Sequence, residues 1–296
     1  MFKFIKRNII SIIFLMIVSI IIINSAISFE NEHINRVRLF YEVCDMQEYN
    51  VDCKMVPRMA PLGSYAQSQN QSMVVALEFA LPLVIILTVG LYFGSRIHSY
   101  LKNEIMRKDY NAAIKSHVLM SYLKTIVAPL SGIIILIVFS FVSYNGRPSG
   151  SLYYTDPDIF GIPFNYYNIT WFYYLIFVIN LILLGIYIAN IYIIVSRYIR
   201  NIVTSIITSY VVYNIFNIFV TNFVGYGVAY YLYYISKNEN AAEVYNYFDY
   251  NMVFHIEDLK HPIILTVNLF VIVLLTTIMI IKIYKNKEKV IMASEK

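Results

Sequence analysis

Long unbroken runs of apolar residues alternate with short polar segments along this chain, a pattern coarser than the periods of a surface helix or a half-buried strand. At 1.5 Å rise per residue, about 20 residues cover a hydrocarbon layer roughly 30 Å thick. Runs of that order fall at 9–28, 73–93, 125–144, 171–195 and 262–281, with a longer one at 202–235. The pattern predicts an all-α, polytopic integral membrane protein with six transmembrane helices, built as a single membrane domain over residues 1–296.

Two runs carry alternatives. The 34 residues of 202–235 would make a helix of about 51 Å, too long for one upright crossing. Gly225-Tyr226-Gly227 is the expected break, with a crossing helix over 202–222 and a short helix from Val228 to Ile235 that re-enters or lies on the outer surface. The alternative is one long helix protruding from the bilayer. Residues 1–28 also resemble a signal peptide, with a basic start and an Ala26-Ile27-Ser28 end. The uncharged run continues past Asn24, which suits a retained span; cleavage would leave five.

Charge sets the orientation. Basic residues are retained on the cytoplasmic side, and with the N-terminus inside, sixteen of the 23 lysines and arginines fall there. Thirteen of the 18 acidic residues fall in the outer segments 29–72, 145–170 and 236–261. Both termini are therefore expected in the cytoplasm, in a multi-pass protein of the plasma membrane. The net charge of +5 is a topological signal and needs no nucleic-acid partner. With 59% hydrophobic and 14% charged residues, the chain cannot clothe a water-soluble core of this size, which excludes the soluble classes.

Cys44 and Cys53, within CDMQEYNVDC, face the oxidising side and are a candidate disulfide. They are too few for a metal site, and nearby His33 reads as a solvated loop residue. On the inner side, Met106, Tyr110, Ala113, Ile114 and His117 recur at helical spacing, while Arg107, Asn111 and Lys115 mark another face. This is an amphipathic cytoplasmic helix between the second and third spans. It serves either as a docking surface for a cytoplasmic subunit or as an interfacial helix on anionic lipid.

Catalytic signatures are missing. No phosphate-binding glycine loop, zinc-protease motif, paired-cysteine motif or nucleophile elbow occurs, so no catalytic residue, metal or cofactor is assigned to the chain. The five histidines lie in or beside the non-membrane segments, so no buried proton relay is expected among them. Glu78 is the exceptional acid, about 9 Å into the second span from its outer end. A carboxyl there contacts substrate, moves a proton, or pairs with a polar group on another helix. Asn180, Tyr187 and Asn190 share one face of the fourth span, and Asn214, Asn217 and Thr221 share one face of the fifth. Such seams line a translocation path or hydrogen-bond helix to helix. Gly90 and Gly94 have the spacing that permits close helix contact.

The arrangement resembles the membrane subunits of type-2 ABC transporters, the ABC-2 type permeases, over nearly the whole chain. The most specific match is Leu81-Pro82-Leu83 in the second span, Gly94-Ser95 at its end, Glu104 opening the amphipathic helix and Lys124 leading into the third span. The chain carries Ala112 and Ala113 where that family often has a glycine, and His117 where it often has an arginine. The resemblance implies an exporter permease that pairs with a second permease subunit, identical or related, and with a separate cytoplasmic ABC ATPase that binds ATP and Mg. It implies a coupling helix around Glu104, Arg107, Lys108, Asn111 and Lys115, joined by the turn carrying Arg197 and Arg200. The cargo class extends over peptides, antibiotics and lipid-like molecules, and the chain itself is not expected to be an enzyme. Two other readings stand beside it: a non-transporting immunity or sensor protein that binds an extracellular peptide, and a membrane-embedded enzyme acting through Glu78.

Overall fold

A computed structural model describes residues 71–97, 101, 104, 109–143, 170–237, 239–253 and 261–285. The first apolar run, Cys44 and Cys53, Arg107, Lys108 and nearly all of the outer segments 29–72 and 145–170 lie outside the described residues. The chain divides into two compact units, Met1–Ala76 with Ser131–Leu175 and Leu77–Leu130 with Ile176–Lys296. The packing described below belongs to the second.

Every described element is a helix, and no strand occurs among the described residues. Helix α1 (Gln71–Val89) runs into a π-turn at Gly90–Gly94, followed by α2 (Tyr110–Ser143) and α3 (Thr170–Ser196). Helix α4 (Ile202–Phe219) passes through a π-turn, Val220–Gly225, into α5 (Tyr226–Ser236). Two 3-10 helices, Glu239–Phe248 and Tyr250–Val253, lead to α6 (Pro262–Tyr284). Helices α3 and α6 match the expected spans at 171–195 and 262–281. The stretches Leu175–Ser196, Ile202–Ser236 and Pro262–Tyr284 are each long and apolar enough to cross a membrane, the mark of a membrane protein.

Helix α3 is the core. Leu184, Tyr187, Ile188, Tyr192 and Ile193 are all enclosed, whereas α4 and α6 turn Ile207, Ile215, Ile218, Phe270 and Ile281 outward. An apolar outer surface over whole helices suits lipid, which makes no demand for polar side chains. The termini follow ordinary capping rules. The Asn201 side chain accepts from the Val203 and Thr204 amides at 3.0 and 3.3 Å, and Pro262 opens α6 where its missing N–H costs nothing.

Two expectations are corrected. The run at 202–235 does not break at Gly225-Tyr226-Gly227: Phe219, Val220, Gly225 and Tyr226 keep right-handed helical dihedrals, and the ladder widens by one π-turn instead. Gly225 serves proximity rather than a break, since a Cβ there would lie 3.1 Å from Phe248 Cβ and 3.2 Å from the Tyr245 carbonyl oxygen. The 3-10 segment thus packs directly on this helix, and Tyr245 stacks on Tyr226 with centroids 4.6 Å apart. Second, residues 110–124 are not a separate amphipathic helix; they are the first turns of α2, which runs unbroken to Ser143. The expected faces survive, with Tyr110, Ala113, Ile114 and His117 buried and Asn111 and Lys115 exposed. The buried stripe continues through Ser121 and Thr125, so nothing in the sequence of faces calls for a turn at residue 124.

Gly90 and Gly94 do mark a close approach. A Cβ on Gly90 would stand 2.7 Å from Ile206 Cγ1, and one on Gly94 would stand 2.5 Å from the Tyr192 hydroxyl. Helix α1 thereby seats itself against α3 and α4 at one level.

Candidate functional site

One end of the helix unit gathers most of the described residues expected to face an ATPase. The Tyr110 hydroxyl, at the start of α2, donates to the Tyr284 carbonyl at 2.8 Å, and the Tyr284 hydroxyl donates to the Ile193 carbonyl at 3.1 Å. The Phe93 ring meets Tyr284 edge-on at 6.0 Å. The ends of α1, α3 and α6 and the start of α2 are thus tied together, with the turn carrying Arg197 and Arg200 beside them. Burial pushes the Tyr110 phenol up to about 12, partly offset by the Arg197 charge. Arg200, Asn111 and Lys115 are exposed, and Arg197 is half-buried.

Glu104 is half-buried and paired with His117. Its Oε2 lies 2.6 Å from Nε2 of His117, and Nδ1 of His117 lies 3.4 Å from the Tyr92 hydroxyl. The Lys124 ammonium sits 5.0 Å from the centre of the Tyr92 ring. His117 is 4% exposed, on the buried stripe expected through Tyr110, Ala113 and Ile114.

The residues expected along a path separate into three fates. Asn190 is a clamp: its Nδ2 donates to Thr276 and Thr277 at 2.9 and 3.1 Å, and its Oδ1 accepts from the Tyr122 hydroxyl at 2.5 Å. It joins α2, α3 and α6 through both ends of its amide. Asn217 and Thr221 hold the 3-10 segment. Asn217 Oδ1 accepts from the Tyr250 amide at 3.2 Å, its Nδ2 donates to Asp249 at 3.4 Å, and Thr221 donates to the Phe248 carbonyl at 3.4 Å. Asn268 of α6 donates to the Tyr247 carbonyl at 2.9 Å, closing the same segment from the other side. Asn214 donates within its own helix, to the Tyr210 carbonyl at 2.8 Å.

Asn180 and Tyr187 form the third class. Asn180 is fully buried, and among the described residues neither its amide atoms nor the hydroxyls of Tyr187 and Tyr213 find a hydrogen-bond partner. Each such group costs about 1–3 kcal/mol relative to a satisfied one. Tyr187 sits among aromatic rings, 6.0 Å from Tyr213, 6.2 Å from Phe216 and 5.3 Å edge-on from Tyr250. Glu78 is half-buried near the middle of α1, where the neighbouring Phe79 carbonyl accepts from Tyr210 of α4 at 3.4 Å. Tyr213, Tyr250 and Asp249 were invisible in the sequence, because one tyrosine among 28 carries no signal by itself.

No group of three or more metal-ligating side chains occurs among the described residues. No family model, no curated protein and no solved structure matches this chain.

Proposed function

We propose that this chain is the membrane-spanning subunit of an ATP-driven ABC exporter, with six spans, both termini in the cytoplasm of a plasma-membrane protein, and one half of a translocation path. ATP and Mg bind a separate cytoplasmic ATPase, and a second permease subunit completes the path. The observation that carries the reading is the tying of three helix ends at one end of the unit, the start of α2 and the ends of α3 and α6, by Tyr110, Tyr284 and Ile193. A push on the exposed Lys115 and Arg200 surface would then reach α2, α3 and α6 together, as coupling between two arrangements requires. The cargo is a peptide, an antibiotic or a lipid-like molecule.

Co-purification tests it. The full chain should retain an ATPase chain in detergent, and Lys115→Glu with Arg200→Glu should weaken that retention. Recovery with no ATPase, together with unchanged cellular activity when ATPases are depleted, would sink the exporter reading. The second reading is a non-transporting immunity or sensor protein, and the exposed Tyr230, Tyr231 and Tyr234 on α5 favour it as a peptide-binding surface. That protein keeps full activity without any ATPase.

A further inference from the structure

The helical run from residue 202 changes chemistry along its exposed flank. Val203, Ile207 and Ile215 come first, then Phe219 and Phe223, whose rings stack 4.9 Å apart. Tyr230, Tyr231, Tyr233 and Tyr234 follow on α5, the first of them 73% exposed. Lys237 closes the helix, with its ammonium 4.6 Å from the centre of the Tyr234 ring. The other flank of α5 is taken: Ala229 is buried, and Tyr245 and Phe248 close on Gly225. Two lengths locate the change. From Val203 to Phe223 the helix rises about 30 Å, the hydrocarbon thickness of a bilayer. On α6, Asn268 holds the Tyr247 carbonyl next to Phe248 and Gly225, and Pro262 lies about 9 Å further out, level with Tyr230 and Tyr231. The two measures bracket Tyr226 and Tyr230, so the tyrosines begin where hydrocarbon ends.

We propose that this face of α5, with Lys237, is a binding surface for phospholipid headgroups in the leaflet remote from Arg200. Hydrocarbon would leave the phenol hydroxyls unpaired, and water would leave the rings uncovered. The headgroup layer offers acyl stems to the rings and phosphate and ester oxygens to the hydroxyls. Because Cα–Cβ bonds tilt toward a helix N-terminus and α5 runs outward, Tyr233 and Tyr234 lean back toward that layer. The Lys237 ammonium goes with them, and one ring face leaves it donors for a phosphate oxygen. The lipid-facing flank of α4 continues into this surface without a gap, at Phe219 and Phe223. The assignment stands apart from the exporter reading, since an ATPase would sit at the other end. It gives to lipid the tyrosines that the second reading gives to a peptide.

The test uses the full-length protein in phosphatidylcholine nanodiscs, with its single tryptophan moved by Trp171→Phe and either Tyr231→Trp or Phe219→Trp. Fluorescence is quenched by lipid carrying a nitroxide on the headgroup, by lipid carrying one at the chain end, and by iodide in water. The tryptophan at 231 should be quenched more by the headgroup label than by the chain-end label, and the one at 219 in the reverse order. Quenching at 231 by iodide without the headgroup label would leave the surface in water, open to a peptide, and would overturn the assignment. Protection from all three quenchers would mark a contact with a second copy or another protein, with the same consequence. A second arm keeps Trp171 and compares melting temperatures in phosphatidylcholine and in a phosphate-free glycosyl diacylglycerol with the same chains. The parent should melt higher in the phospholipid, and the variant Tyr230→Phe, Tyr231→Phe, Tyr234→Phe, Lys237→Gln, which keeps every ring, should lose that gain. A gain absent from the parent, or retained in full by the variant, would overturn the headgroup contact.

Discussion

Asn190 shows how one side chain decides between a pore and a bundle. Both ends of its amide are engaged across helices, by Tyr122, Thr276 and Thr277. Asn190→Leu should therefore destabilise the protein by about 1–2 kcal/mol, the upper range for interhelical hydrogen bonds in membranes. Reversible unfolding in mixed micelles measures it, and adding Tyr122→Phe should cost less than the sum of the two single changes. Tyr110 makes a pH-dependent contribution of a different kind. Its folded phenol holds its proton up to about 12, against 10.0 for an unperturbed tyrosine. The stabilisation is complete below pH 10 and is lost as pH rises toward 12, because the unfolded chain ionises first. The melting temperature should fall across that window, and the fall should be shallower in Tyr110→Phe.

At the scale of elements, glycines separate close packing from free surface. Gly90 faces Ile206 and Tyr192, both buried, so Gly90→Ala forces an overpacked contact and should cost about 1–3 kcal/mol. Gly227 has nothing within 4 Å of its would-be Cβ and sits inside a helix, so Gly227→Ala should stabilise by up to about 1 kcal/mol. Thermal unfolding of the two variants gives opposite signs if the seating of α1 is as described. The same contrast explains the misread step at Gly225-Tyr226-Gly227. A glycine pair in a long apolar run signals a break by propensity, yet one glycine admits the backbone of Tyr245 and the other is merely exposed. The sequence reading also set residues 110–124 apart from the following span, whereas one helix carries both.

For the whole molecule, the exporter reading places its weight on one end of the unit, where Lys115 and Arg200 are exposed beside the tied helix ends. Charge reversal at both should lower the ATPase retained per permease while leaving the melting temperature close to the parent value, because neither side chain is buried. A fall in both quantities together would indicate misfolding instead of a lost docking surface. The exposed apolar flanks of α4 and α6 give a second expectation, that the folded chain needs lipid or detergent around Ile207, Ile215 and Ile281.

Hydropathy summed over some 20 residues was enough to locate α3, α6 and the long helical run from residue 202, since each segment's preference for lipid is additive and local. Helical period alone also sorted the buried from the exposed side of residues 110–117. Only the tertiary structure decided which polar residues are consumed and which are left over. Asn190 finds partners 68 and 86 residues away, whereas Asn180, ten residues earlier in the same helix and identical in kind, finds none. Hydrogen bonding is short-ranged and directional, so its outcome depends on which helices meet at a given level, a matter on which the composition of any one segment is silent.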